Sequence, residues 1–374
     1  MMKYANGHEI IQLFESWSPK KLACMDNDPI GLAIGTLNKE VSKVLVTLDV
    51  NGQVADEAIA KGCELIIAHH PPIFRKLSNL RTDTPAGKLY EKLIKNDIAV
   101  YAAHTNLDVA EGGVNDLLAD ALQLENRQIL EKTYHENLMK LAVFVPDEYA
   151  ENVRLALAKA GAGAIGNYEG CSFSTNGQGR FRPLEGADPF IGDIGEMEKT
   201  DEEKIEVVFM QSIKNKVLKA MLNAHPYEEP AYDLYTLAVE TNEMGLGRVG
   251  RLKEPMTLEQ FAMYVKTQLD VPKVRVVGDT KKQISKVAIV GGDGNKYIHA
   301  AKRSGADVFV TGDISFHIAQ DAESIGLSIV DPGHHVEKVM IDGVAKKMEQ
   351  LCSKAKLSVQ FIQSEINTEP FTFI

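Results

Sequence analysis

The sequence predicts an α/β fold with mainly parallel sheets, whose two halves form an outer domain around a smaller inserted α+β domain. Short apolar runs of strand length alternate with amphipathic helical segments, which is the pattern of βαβ units. Four of those runs end abruptly in His, Asp or Gly, so polar groups gather where an open parallel sheet places its ligands. The pattern changes between residues 128 and 242 and then resumes. The expected divisions are therefore 1–127, 128–242 and 243–374.

The chain opens with a helix over 8–17, whose Ile10, Ile11, Leu13, Phe14 and Trp17 share one face, and Pro19 ends it. The acidic, turn-rich stretch Asp26-Asn27-Asp28-Pro29-Ile30-Gly31-Leu32 is a connection that could fold over a site. A buried strand at 44–49, a helix from Val54 to Gly62 and a strand at 65–68 form a βαβ unit with a right-handed crossover. A helix over about 85–96 leads into the strand at 98–103, and Gly112-Gly113 precedes a helix ending near 124.

The middle segment offers a strand at 141–145, a helix at 146–160 and a strand at 170–175. A strand at 205–210, a helix at 212–223 and a strand at 232–239 follow. That β-α-β-β-α-β order is ferredoxin-like. The outer pattern resumes near Gly245-Leu246-Gly247-Arg248 with a helix at 257–269 and strands at 274–277 and 286–290. A strand to Asp313, a helix at 315–324, a strand to Asp331, a helix at 336–354 and a short strand at 357–362 complete it. The turn Gly291-Gly292-Asp293-Gly294-Asn295 could cradle a phosphate on backbone N–H groups, although it lacks the Gly-Lys-Ser/Thr of a P-loop and such turns are often purely steric.

With 374 residues, 44% hydrophobic and 25% charged, the chain has the composition of an ordinary globular protein of two or three domains. Its 41 basic and 52 acidic residues leave a net charge of -11, which gives no overall attraction for nucleic acid or an anionic membrane. The basic pairs Lys281-Lys282 and Lys346-Lys347 are short enough to be solvated surface. Cys24, Cys63, Cys171 and Cys352 are scattered without a C-x-x-C pair and read as reduced thiols. The polar N-terminus lacks a signal-peptide core, and no apolar run is long enough to span a membrane, so a cytoplasmic location is expected.

Chemistry concentrates at the strand ends. His69-His70 follow Ala68, His104 and Asp108 follow Ala103, Asp313 precedes His317 by four residues, and His334-His335 precede Glu337. Nitrogen and carboxylate donors without sulfur suit zinc, manganese, iron, cobalt or nickel. His69, His70, Asp108, His334 and Glu337 are one more than a tetrahedral ion needs, so two ions bridged by a carboxylate would use them all. The expected chemistry is hydrolysis, with His104 as a general acid/base or as a support for a ligand. His317 could face the site or cap its helix.

These residues resemble the Nif-three-like dinuclear metal-centre family, whose members are called GTP cyclohydrolase I type 2 homologues. The resemblance runs through Ala68-His69-His70-Pro71, Ala103-His104-Thr105-Asn106-Leu107-Asp108, Gly245-Leu246-Gly247-Arg248, Thr311-Gly312-Asp313, Asp331-Pro332-Gly333-His334-His335 and Glu365-Ile366-Asn367-Thr368-Glu369-Pro370-Phe371. The middle segment, with Ala224-His225-Pro226-Tyr227-Glu228-Glu229-Pro230, is similar to the CutA/PII-like insert of the family's long members. The resemblance implies two divalent metal ions per chain, zinc foremost, held by His69, His70, Asp108, His334 and Glu337. It also implies a fold of two related α/β halves and a toroidal homohexamer; the substrate to expect is a nucleotide or another small phosphorylated metabolite. Glu337 lies three residues after His334 and two after His335, where some relatives space the pair by four, so either histidine could be the ligand. His334 is preferred, because it follows Gly333 as in the motif and i, i+3 residues share a helical face. Two functions remain open: a metal-dependent hydrolase, and a non-catalytic metal-binding or regulatory protein whose insert senses a small molecule or mediates assembly.

Overall fold

A parallel βαβ series builds the first sheet. Strands Lys43–Thr47, Leu65–Ala68 and Ala99–Ala102 alternate with helices Gly52–Lys61 and Pro85–Lys95 and pair in parallel. Asn51 caps the first of these helices on the N–H groups of Gln53 and Val54, and Gly62 closes it in the left-handed conformation. Gln360–Gln363 adds a parallel strand on one edge and Gly31–Ile34 an antiparallel one on the other. The computed structural model describes residues 3–239 and 243–374.

A second sheet has six strands in the order Arg275–Val277, Ser328–Asp331, Val308–Gly312, Gln283–Asp293, Glu243–Thr257 and Glu125–His135. Ser328–Asp331, Val308–Gly312 and Gln283–Asp293 are parallel, and the strand on either side of them is antiparallel to its neighbour. Successive strand residues point to opposite faces, and both faces are apolar here. Val44, Val46, Leu65 and Ile67 of the first sheet share one core with Val287, Ile289, Val308 and Val310 of the second. Phe14, Leu118, Phe261 and Val344, from four helices, belong to the same core. The alternate residues Leu45, Ile66 and Val100 pack with Val54, Ala58 and Leu93, while Ala288, Phe309 and Ile329 pack with Ala301 and Ala322. Helices therefore cover both faces of each sheet.

The chain divides into two compact units, Met1–Tyr134 with Met244–Ile374, and His135–Glu243. Residues 128–134, which the sequence pattern groups with the middle segment, continue strand Glu125–His135 of the six-stranded sheet. The smaller unit runs Leu138–Pro146, helix Ala150–Lys159, Phe173–Phe181, Glu198–Met210, helix Lys214–Ala224 and Tyr232–Leu237. Its sheet is antiparallel, with Leu138–Pro146 and Glu198–Met210 central, flanked by Tyr232–Leu237 and Phe173–Phe181. Leu141, Val143, Ile205 and Val207 meet Val153, Leu157, Val217 and Met221 of the two helices in a core of their own.

Three elements differ from the sequence reading. Phe173–Phe181 runs further than 170–175, because the polar, glycine-bearing Thr175–Arg180 stretch is extended by pairing with Glu198–Met210 and not by apolar alternation. Glu243–Thr257 is a strand where the sequence reading assigns no element to residues 245–250. A side chain at Gly245 would strike the Glu131 carbonyl, and one at Gly250 would lie 2.8 Å from Leu124, so close strand approach requires glycine. A short helix, Thr105–Val109, follows His104 directly.

Candidate metal centre

His69 and His70 extend the pairing of strand Leu65–Ala68, their N–H groups donating to Thr47 and Leu48 at 3.2 and 2.9 Å. His69 is fully buried and His70 partly exposed. Both turn Nε2 toward one carboxylate, with Glu337 Oε2 at 3.7 Å from His69 and 3.1 Å from His70. Glu337 lies on the 3-10 turn His334–Lys338, where the three-residue spacing also brings His334 Nε2 within 3.2 Å of the same oxygen. Asp108, on the helix after His104, places Oδ1 3.5 Å from His69 Nε2. The His104 ring centre is 5.5 Å from that of His69 and 6.0 Å from that of His70.

Each of the four imidazoles is anchored through Nδ1. His69 donates to the Ala103 carbonyl at 2.8 Å, and His70, His104 and His334 donate to Asp49, Asp28 and Asp313, each at 2.7 Å. Anchoring at that nitrogen fixes the tautomer and leaves Nε2 as the free donor atom, the usual arrangement of metal-ligating histidines. The supports are themselves held: Asp28 also accepts from the Thr105 N–H and hydroxyl, and Asp49 from the Thr368 hydroxyl.

Two atoms at the centre lack what a buried polar atom requires. His69 Nε2 and Asp108 Oδ1 are buried without hydrogen-bond partners. A cation between them satisfies both, and His69, His70 and Glu337 offer ligand atoms that all lie within 4.8 Å of one another. The donors are nitrogen and carboxylate oxygen, which suit a divalent transition ion. The residues fit a metal centre.

The charge balance carries the same imprint. For His70, burial alone would favour the neutral ring, but hydrogen bonds to Asp49 and Glu337 outweigh it and push the pKa up to about 10. The Glu337 hydrogen bond likewise raises His334 to about 9. Burial pushes the Asp108 carboxyl up to about 6, and the imidazoles around Glu337 overcome its burial and hold it well below the usual carboxylate range. Beside the cluster lies a cavity of about 620 Å³ whose walls include Asp49, His70, His334, Lys273, Arg275 and Phe371.

Residues 5–370 match the DUF34/NIF3 (NGG1p interacting factor 3) family. The chain belongs to this family. It is 58% identical over 374 residues to a Bacillus subtilis protein named GTP cyclohydrolase 1 type 2 homolog, each chain covering all of the other. A Bacillus cereus protein related to NIF3 has a crystal structure that matches with a TM-score of 0.91 and 55% identity over the full length of both chains. A Staphylococcus aureus protein of known structure matches with a TM-score of 0.82 and 33% identity, again over both full chains.

The DUF34/NIF3 segments quoted from the sequence have structural reasons. The turn Gly291-Gly292, outside those segments, passes beneath Glu337, where a Cβ would lie 3.1 and 2.7 Å from its Oε1. Thr368 of the C-terminal segment secures Asp49 and, through it, His70. Arg248 is buried and forks onto both oxygens of Asp116 while donating to the carbonyls of Gly245 and Gly247 at 2.9 Å. His334 faces Glu337, whereas His335 Nε2 lies 3.3 Å from the Thr368 hydroxyl. His317 is exposed against Phe316, away from the cluster's contacts. Sequence reasoning did not assign Asp28, Asp49 or Asp313 as supports, although Asp49 and Asp313 sit just past strand ends, as the histidines do. Among the described residues, no helix is long and apolar enough to cross a membrane.

Proposed function

We propose that this DUF34/NIF3 protein holds two divalent metal ions, zinc foremost and manganese, iron, cobalt or nickel as alternatives, and hydrolyses a nucleotide or another small phosphorylated metabolite. His69, His70, Asp108, His334 and Glu337 would hold the ions. The observation that carries the reading is the pair of unpartnered buried atoms, His69 Nε2 and Asp108 Oδ1, beside a carboxylate already shared by three imidazoles. Divalent ions, when bound, supply the Lewis acidity that brings the pKa of a water toward neutrality.

The chain's own residues do the rest. Glu337, whose Oε2 faces His334, His69 and His70, would be the ligand common to both ions. His104, oriented by the Asp28 carboxylate, can accept a proton from water and return it to a leaving group. Lys273 and Arg275 on the cavity wall suit an anionic substrate. The name of the Bacillus subtilis relative makes GTP the first substrate to try. Residues 135–243 fit an inserted ferredoxin-like domain of the CutA/PII kind, because their elements run β-α-β-β-α-β with the first and third strands central. A homohexamer is the assembly we infer with it. A second reading, a metal-binding regulatory protein, is favoured by a separate cavity in that unit.

Turnover of GTP and a panel of phosphorylated metabolites by metal-loaded protein separates the two. Hydrolysis that depends on added metal and falls on His104→Ala supports the enzyme. Saturable metal binding with no turnover across the panel supports the regulator.

A further inference from the structure

The smaller unit contains a cavity of about 630 Å³, within the ~300–1,000 Å³ range of small-molecule sites. It lies on the sheet face that the two helices leave open, and residues of the 182–197 loop form part of its wall. Two glycines shape its floor. Gly177 is directly opposite Glu202 in the antiparallel register, and a Cβ there would meet nothing within 4 Å. A Cβ on Gly179 would instead strike the Glu202 carboxylate. Glycine at both positions keeps the strand bare and lets the carboxylate lie across it.

Glu202 is only 8% exposed. One of its oxygens accepts from the Tyr227 hydroxyl at 3.2 Å, and among the described residues it forms no ion pair. Burial raises its pKa, so the ionised carboxylate gains from further N–H donors. Around it stand Phe181 and Phe190, with ring centres 5.7 and 6.3 Å from that of Tyr227. Arg182, just beyond strand Phe173–Phe181, also lines the cavity and has no carboxylate partner among the described residues, and Lys204, two residues from Glu202 on the same strand face, stands 3.0 Å from Glu206. The acidic side of the wall is partly occupied, since Glu228 accepts from the Asp188 N–H at 3.1 Å.

We propose that this cavity binds a guanine nucleotide, with the base among the aromatic rings, its Watson–Crick edge on Glu202 and its phosphate toward Lys204 and Arg182. A carboxylate has two acceptor oxygens side by side. Guanine presents N1–H and its 2-amino group side by side, whereas adenine and cytosine present only an amino group on that edge. A small cation would satisfy Glu202 but would face Lys204 and Arg182. An aromatic acid without donors would leave the carboxylate unmatched. The site is independent of the metal centre, none of whose residues lies in this unit.

The test is calorimetry on the full-length protein with GMP, IMP, AMP, free arginine and inorganic phosphate, at a fixed ionic strength. GMP should bind saturably. IMP, lacking the 2-amino group, should bind about 10–100-fold more weakly, as for the loss of a hydrogen bond to a charged acceptor. Glu202→Gln should weaken GMP by a similar factor, Gly177→Leu should block it by filling the open space, and metal content should stay unchanged in both. GMP binding should survive His69→Ala. Equal affinity for GMP, IMP and AMP in the wild-type chain overturns the proposal without reliance on any variant. So does tighter binding of arginine, loss of GMP binding on His69→Ala, persistence of it in Gly177→Leu, or no saturable GMP binding. If Gly177→Leu changes the oligomeric mass and leaves GMP affinity intact, a second copy of the chain covers this face and the proposal fails.

Discussion

His104 and His70 are anchored alike, but His70 Nε2 lies 3.1 Å from Glu337 while His104 makes no such contact among the described residues, and that difference separates their roles. His104→Ala should lower turnover roughly 10²–10⁴-fold, the usual contribution of a positioned acid/base, while metal content stays near wild type. Loss of metal along with activity would make His104 a ligand instead. His70 and His334 also predict a pH dependence. Their pKa values in the metal-free protein are raised to about 10 and about 9, above the ordinary 6.5. Their contribution to stability is therefore complete below about 6.5 and is lost as pH climbs through 9 and 10. Metal needs neutral imidazole, so loading at pH 7 should release protons and affinity should rise with pH. Unbuffered titration with zinc checks this; a constant pH on loading would contradict the charge state assigned to the cluster. The histidines themselves were legible because two adjacent ones at a strand end have few structural uses. Asp28 was not, because a carboxylate in a turn-rich loop looks like any connection until the fold brings it 2.7 Å from His104.

At the scale of elements, strand ends and one buried ion pair hold the site together. Arg248 on strand Glu243–Thr257 forks onto Asp116 of helix Val114–Ala121, and Asn115 of that helix accepts from the Gly291 N–H at 3.0 Å. Arg248→Ala leaves the half-buried Asp116 carboxylate without its ion-pair partner and should cost about 1–3 kcal/mol, seen as a lower unfolding midpoint in urea. A midpoint unchanged from wild type would show that the pair has no structural role. The parallel core strands were legible from their apolar runs. The glycine-bearing strands Phe173–Phe181 and Glu243–Thr257 were not, because their pairing partners and not their own alternation extend them.

For the whole molecule, all five proposed ligands and every support named for them fall in Met1–Tyr134 with Met244–Ile374. The strands that lead into and out of the other unit, Glu125–His135 and Glu243–Thr257, are neighbours in the six-stranded sheet, so a short linker can join them. Replacing residues 135–243 with such a linker should leave metal binding intact. A soluble deletion protein without metal would show that the centre depends on the removed unit. The α/β class was readable from periodicity, and the ligand cluster from its strand ends. The anchoring of each imidazole was not, since it depends on strands and loops far apart in the chain. Elemental analysis after reconstitution and exhaustive dialysis is the decisive test of the proposed two-ion centre. About two divalent ions per chain are expected, falling by at least one in Asp108→Ala. A wild-type chain that retains none, or an Asp108→Ala chain that retains the full complement, would contradict it.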